Sequence, residues 1–475
     1  MASKTTLTAA NLEALGAERL AQLLLEISAG DANAKRRLRL ELAGVESPDK
    51  LIHEIRKRLT SIAAATAFVG WRSVKAFRTD LTTQRRLIAE QVATASPAEA
   101  LELMWTFIAM GDAVLERATD ASGEVIAIFR EAAGDAGRLA ALARPDTGSL
   151  AQKTFEALLG NGYGQNDALI PALAPVLGES GLRDLQARVK AAVEAPEPRA
   201  EGLRRVTKTR SRRKRDRDAI RRTPRAGVLR QALLDIADGL GDVDAYIALQ
   251  VDPRLPEVAA RMASRLLQAG RAAEALSVLD GVRTGPRDVP AEWEDAHIEA
   301  LEALARKDEA QAFRLEIFHR TLNAGHLRAY LKRLPDFDDI EAEDAALDFV
   351  MTVRNVQVAL AFLIAWPNLE RAAKVVVTRA AEIDGYADGI LEPAAEKLVA
   401  RYPLAATVLL RRMIETTLRN NRSDDYERAG HQLAECARLS ARIEHFGPLE
   451  SHDTYLAKLR TGFGRSTVFW NAAEG

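Results

Sequence analysis

One ten-residue pattern recurs in this chain, and no other feature narrows the possible folds as far. Leu266-Leu267-Gln268-Ala269-Gly270-Arg271-Ala272-Ala273-Glu274-Ala275 returns 35 residues later as Leu301-Glu302-Ala303-Leu304-Ala305-Arg306-Lys307-Asp308-Glu309-Ala310. Arg271 matches Arg306, Glu274 matches Glu309 and Ala275 matches Ala310. A period of this length marks stacked units of paired helices, none of which buries its apolar face alone. Each unit reads as a helix, a tight turn at Gly/Ala-Arg, and a second helix whose small Ala lets the pair pack closely. Asp344-Ala345 lies one further period on, with a weaker match.

The rest of the composition agrees with helices. At 475 residues the chain exceeds one ordinary core, so two domains or a repeat array are expected. Aromatics are only 5%, and Ala and Leu dominate the apolar set, which favours helix over sheet. Repeat length and turn chemistry resemble a tetratricopeptide repeat, with Pro286 and Trp293 near its terminal proline and early tryptophan. The expected class is all-α: a helical N-terminal domain, 1–195, and a tetratricopeptide-like α-solenoid of antiparallel helix pairs, 228–475.

Between them, 196–227 reads as a basic linker. Arg199 to Arg230 holds twelve Arg and two Lys against Glu201, Asp216 and Asp218, a net +11 in a chain whose total is -1. Residues 1–198 carry -2 and residues 231–475 carry -10, so a near-neutral total conceals a basic connector beside an acidic half.

Local signals place further helices. Leu12, Leu15, Leu20, Leu23, Leu24 and Ile27 form one apolar face, with Gly30 as stop and Asp31 as the next cap. Ser47-Pro48 and Ser96-Pro97-Ala98-Glu99 are N-terminal signatures, the second opening a helix through Met110 and Leu115. Gly160-Asn161-Gly162-Tyr163-Gly164 reads as an interhelical loop, because no Lys-Ser/Thr follows it as a phosphate cradle would need. Pro403–Leu418 and Tyr426–Leu439 are apolar-faced helices, the latter capped by Ser423-Asp424-Asp425. Beyond a break at Gly447-Pro448, a short helix covers about 455–459, and Val468-Phe469-Trp470 tucks the tail against the body.

Several phrases together resemble an uncharacterised bacterial all-helical family, a domain of unknown function. They are Asp242-Val243-Asp244-Ala245-Tyr246, the Gly270-Arg271 turn, the run from Tyr330 to Asp339, Pro403-Leu404-Ala405-Ala406, and His452-Asp453 with Tyr455 and Phe469-Trp470. Tyr163-Gly164 with Asp167 is similar too. The resemblance implies an all-helical, repeat-like fold and brings no activity, because the family has no catalytic residues to carry over.

Candidate chemistry is sparse. The basic residues Arg204, Arg205, Lys208, Arg210, Arg212, Arg213, Lys214, Arg215, Arg217, Arg221, Arg222 and Arg225 suit a polyanion or an acidic partner, since Arg pairs two phosphate or carboxylate oxygens at once. No aromatics interleave them for base stacking, and no DNA-reading module is evident. The competing reading is a solvated linker, or a segment that docks on the acidic C-terminal half. The acidic run from Asp336 to Asp344 lacks the spacing and midway glycine of a calcium loop and suits a helix N-terminus. Among the seven histidines, His431 lies five from Cys436 and so on another helix face, and His445 and His452 show no carboxylate backing. The five tryptophans sit in apolar helical contexts and read as core.

No catalytic, cofactor or metal constellation emerges. The expectation is a non-enzymatic protein-interaction scaffold, with a protein partner on the C-terminal array. The alternative is nucleic-acid binding through 203–225. Cys436 is the only cysteine, the N-terminus lacks a signal-peptide core, and no apolar run approaches the ~18 residues of a membrane span, so a cytoplasmic setting without membrane contact is expected.

Overall fold

The structure, a computed structural model, describes residues 7–30, 32–195, 224–282, 289–447 and 449–474. The described residues are helical and their connections short, with one isolated bridge between Val69 and Ala118. The helices group into two compact units, 1–252 and 253–475.

The first unit is built around helix Glu124–Ala143, which packs against Pro97–Ala109 and Leu169–Glu194. Gly137 is what lets the last of these approach: a Cβ there would lie 2.4 Å from the carbonyl oxygen of Ala172. Asp120 starts the central helix, its two carboxylate oxygens accepting from the amides of Val125 and Ile126 at 2.8 Å each. Buried Asp135 on the same helix meets Arg85 and Arg138 at 2.5 Å. Helix Leu169–Glu194 bends where Gly178 takes a non-helical conformation, three residues after Pro175.

Two sequence expectations change here. The apolar face from Leu12 to Ile27 is split into Ala9–Glu13 and Ala17–Ser28 by Gly16, whose φ is 80°. Most of that face is solvent-exposed, Ile27 at 73%, so periodicity located the stripe but no described residue of this unit covers it. The helix from Ser96 likewise ends at Ala109 and restarts at Gly111. Ser96 does accept from the Glu99 amide, but the Glu99 carboxylate turns to Arg56. Asp31, the expected cap, lies outside the described residues.

The division between units also differs from the charge-based boundaries. Helix Arg225–Leu240 packs on Leu169–Glu194 and joins the core of the first unit through Leu229, Ala232, Leu233 and Ile236. Val243–Ala248 follows it there. The break falls at Asp252–Pro253, because an apolar stripe fixes packing whereas the basic composition that runs to Arg230 does not. Residues 225–227 are therefore the first turn of a packed helix, not part of a linker.

The second unit is an array of paired helices, each touching its successor from Pro256–Gln268 to His452–Phe463. The repeat is visible in atomic detail. Gly270 and Ala305 both adopt left-handed φ, 73° and 58°. The amides of Arg271 and Arg306 then donate back to the carbonyls of Leu266 and Leu301 at 2.8 and 2.9 Å, which closes the preceding helix end in each case. Both arginines grip the glutamate three residues on through Nε and Nη2, Arg271 with Glu274 and Arg306 with Glu309. These hydrogen bonds raise the Arg306 pKa and lower that of Glu309. Ala275 and Ala310 are fully buried where the two helices of each pair meet. Pro286 lies outside the described residues. The tail docks as a helix, Thr467–Glu474, against Tyr426–Ser440, with Phe469 and Trp470 buried. The helix before it, His452–Phe463, is longer than its apolar residues indicate. Pro448 lies outside the described residues.

Candidate functional site

Of the twelve basic candidates, only Arg225 falls within the described residues, half-buried in the first turn of Arg225–Leu240. Arg204, Arg205, Lys208, Arg210, Arg212, Arg213, Lys214, Arg215, Arg217, Arg221 and Arg222 lie outside them.

The other sequence candidates resolve into packing roles. The Gly160–Gly164 segment is a polar loop that satisfies itself: Asn161 donates to Asp167 at 2.7 Å and accepts from the Asn166 amide at 2.8 Å. The acidic run opens helix Asp338–Thr352, with Asp338, Asp339 and Glu341 in its first turn. Glu343 accepts from the Trp366 indole at 2.6 Å, and Asp344 pairs with Arg371 at 3.2 Å. Cys436 is buried, and burial pushes its thiol up to about 12, so no thiolate is available as nucleophile near neutrality. Burial also holds His319 below its usual value, where its ring lies tilted against Phe349 with centroids 4.2 Å apart. Trp105 and Trp470 are core residues, but Trp71 is 74% exposed, with the Arg72 guanidinium over its ring. Among the described residues no three His, Cys, Asp or Glu side chains lie together as metal ligands would.

One constellation escaped the sequence reading. Helix Pro403–Arg419 is buried nearly all round, so its polar positions must be buried with it. Thr407 manages this by donating to the Pro403 carbonyl at 2.9 Å. Arg411 has no such local solution and is 6% exposed. Its guanidinium lies over the Tyr455 ring at 4.3 Å, with Phe446 at 5.6 Å. Nη1 donates to the Glu450 carbonyl at 2.8 Å. Nε and Nη2 are closed off from solvent and have no partner among the described residues, and the same holds for Nδ1 of His452. Burial first, and then the Arg411 charge, lower the His452 pKa, while Asp453 acts weakly the other way. Tyr455 donates to the Arg411 carbonyl at 3.3 Å, and its phenol is pushed well up by burial.

Arg411 forms one wall of a cavity of about 400 Å³. Val408, Arg412, Glu415 and Arg419 share its helix face by three- and four-residue steps, and Tyr455, Lys458, Leu459 and Phe463 come from the facing helix His452–Phe463 in the same way. Four cations meet two carboxylates here. Both carboxylates are already engaged: Glu415 by Arg419 at 3.1 Å and Arg412 at 3.8 Å, Glu450 by Lys458. None of this was legible beforehand, because Arg411 sits beside Arg412 in the sequence and only the packing shows which one is buried.

A second recess, of about 660 Å³, lies between helices Asp388–Leu398, Pro403–Arg419 and Tyr426–Ser440. Glu392, Glu396, Asp424, Glu427 and Glu435 line it against Arg428 as the only lining cation. A third, of about 540 Å³, lies between Pro256–Gln268 and Ala291–Ala303, with Glu257, Glu292, Asp295 and Glu299 beside Arg261 and Arg265. Part of the surplus of acid in the C-terminal half thus lines these two recesses, in contrast to the cationic cavity at Arg411.

Paired helices stacked in register, closed by a repeated turn, define an all-α helical-repeat protein. The chain belongs to a family of unknown function (DUF6880), which matches residues 2–472. No curated protein matches it. Among solved structures it is similar, at 14% identity, to a circular tandem repeat protein with novel repeat topology and enhanced subunit contact surfaces. That match covers 95% of this chain and 91% of the other, with a TM-score of 0.14. No described helix is long and apolar enough to cross a membrane.

Proposed function

We propose that this protein is a non-catalytic interaction scaffold whose helical array, 253–475, docks a protein partner bearing basic groups. The observation that carries this reading is the acidic recess between Asp388–Leu398 and Tyr426–Ser440, where five carboxylates face one arginine. Stacked helix pairs present such recesses on a rigid frame, and rigid presentation lowers the ordering cost of binding. Charge of one sign also speeds and steers encounter with a partner of the other sign. The test is affinity capture with the full chain against an E396K/E427K/E435K variant. A partner held by the native protein, weakened at raised salt and lost from the variant is expected. A capture profile identical for both proteins overturns the reading.

A second reading rests on the net +11 of Arg199–Arg230. In it the stretch 203–225 binds nucleic acid by phosphate contacts. Counterion release makes such binding fall steeply with salt, so anisotropy titrations across salt give a steep negative log–log slope. Changing Arg210, Arg212, Arg213, Arg215 and Arg217 to Gln is expected to flatten that slope; a slope unaltered by the change sinks this reading.

A further inference from the structure

A buried guanidinium with no anion beside it is a costly arrangement of charge in a protein interior. Burying a cation without a partner costs several kcal/mol, and buried charges are accordingly paired. Elsewhere in this unit the rule holds: buried Arg314 meets Glu302 at 2.5 Å, and Arg320 meets buried Glu294. Arg411 alone among these three makes no ion pair, and the two carboxylates of its cavity are held by other cations. Its free atoms are also not a random pair. Nε and Nη2 form one edge of the guanidinium, and that edge makes two parallel hydrogen bonds to two oxygens of one carboxylate or phosphate. Tyr455 and the Glu450 carbonyl fix the plane of the group, so the fork is preorganised.

We infer that the Arg411 cavity is a binding site for a small dianion carrying a phosphate or carboxylate group. The anion lies side-on to Arg411 Nε and Nη2, with Arg419 and Lys458 contributing from the same wall. The cavity's excess of two positive charges matches a dianion, and its volume of about 400 Å³ exceeds what one isolated oxyanion needs. Neither free atom is open to a water-sized molecule, from the cavity or from outside, so an anion in the cavity reaches the fork only by displacing side chains. The exposed Lys458–Glu450 pair on this wall is the cheapest to part, since exposed ion pairs contribute little. This site is independent of the acidic recess, so neither proposal depends on the other.

The experiment is calorimetric titration of the full chain with inorganic phosphate and, separately, with succinate, each against chloride at matched ionic strength. Binding of at least one above the chloride control is expected, and which one binds identifies the group. R411M is expected to weaken that binding by about tenfold or more, the worth of a charge-assisted fork. R411M also removes an unpaired buried charge, so its unliganded melting temperature is expected to equal or exceed that of the native protein. R411K retains the charge without the fork and is expected to lose binding as well, which keeps the test decisive if R411M fails to fold. Failure of both anions to bind above chloride, or equal binding by native and R411M proteins, overturns the inference and leaves a buried water as the partner of these atoms.

Discussion

Gly430→Ala is expected to detach the C-terminal helix while leaving the rest of the second unit folded. Gly430 lies on Tyr426–Ser440 where Thr467–Glu474 crosses it. A Cβ at 430 would meet the Phe469 carbonyl oxygen at 2.5 Å, the Ala472 Cβ at 2.7 Å and the Ala473 amide nitrogen at 3.0 Å. Two of these are backbone atoms, so no rotamer change relieves the clash. Alanine favours the helix by about 1 kcal/mol over glycine, but this gain is outweighed. Docking buries Phe469 and Trp470, worth about 1.5–3 kcal/mol each, and orders the Trp470 indole on the Phe463 carbonyl at 3.0 Å. An eight-residue helix does not persist alone in water, so loss of docking is loss of the helix. Hydrogen exchange should show amides 467–474 losing protection, as they should in Phe469→Ala. Gly462→Ala is the control, because nothing lies within 4 Å of a Cβ there. Undiminished protection of 467–474 in Gly430→Ala would falsify this account.

The contrast between what was and was not legible follows the range of the interactions. The Gly270-Arg271 and Ala305-Arg306 turns were legible because every bond in them closes within five residues. The buried Ala275 and Ala310 follow from the same local phrase. The stripe Leu12–Ile27 was half legible: spacing shows that a face is apolar, but only packing shows whether anything covers it. Trp71 failed for the same reason, since an aromatic side chain in an apolar run still needs a neighbouring helix to bury it. Charge misplaced the division between units. The basic composition runs on to Arg230, whereas Leu229, Ala232 and Ile236 tie that segment to the first core. Arg411 was the least legible of all, because the run from Leu404 to Ile414 reads as a one-faced helix until a second face is found covered.

Glu294→Met is expected to destabilise the second unit by about 3–5 kcal/mol, because it leaves the Arg320 charge uncompensated. Glu294 stands in the first turn of Ala291–Ala303 and is 5% exposed. Arg320 Nη2 donates to its Oε1, and His326 Nε2 lies 3.8 Å from Oε2. Arg320 Nε already lacks a partner, so the carboxylate is its side chain's main compensation. Breaking such a pair from one side is costly, whereas removing both charges often is not. The double variant E294M/R320M is therefore expected to recover most of the loss, and a urea double-mutant cycle should return a coupling well above the roughly 0.2–1 kcal/mol of exposed pairs. The Arg306–Glu309 pair provides the reference, being on the surface at the repeat turn. If the double variant is as unstable as the sum of the singles, the two groups are not coupled. The cost would then belong to packing of the Glu294 stem against its neighbours, not to charge. Glu294 and Arg320 stand on Ala291–Ala303 and Lys307–Thr321, the two helices joined by the Ala305-Arg306 turn, so this pair ties together the helices of one repeat unit. A loss of stability that spreads along the array, seen as reduced amide protection not only in Ala291–Ala303 and Lys307–Thr321 but also in Pro256–Gln268, which packs on the first of them, is what nearest-neighbour coupling in stacked helices requires.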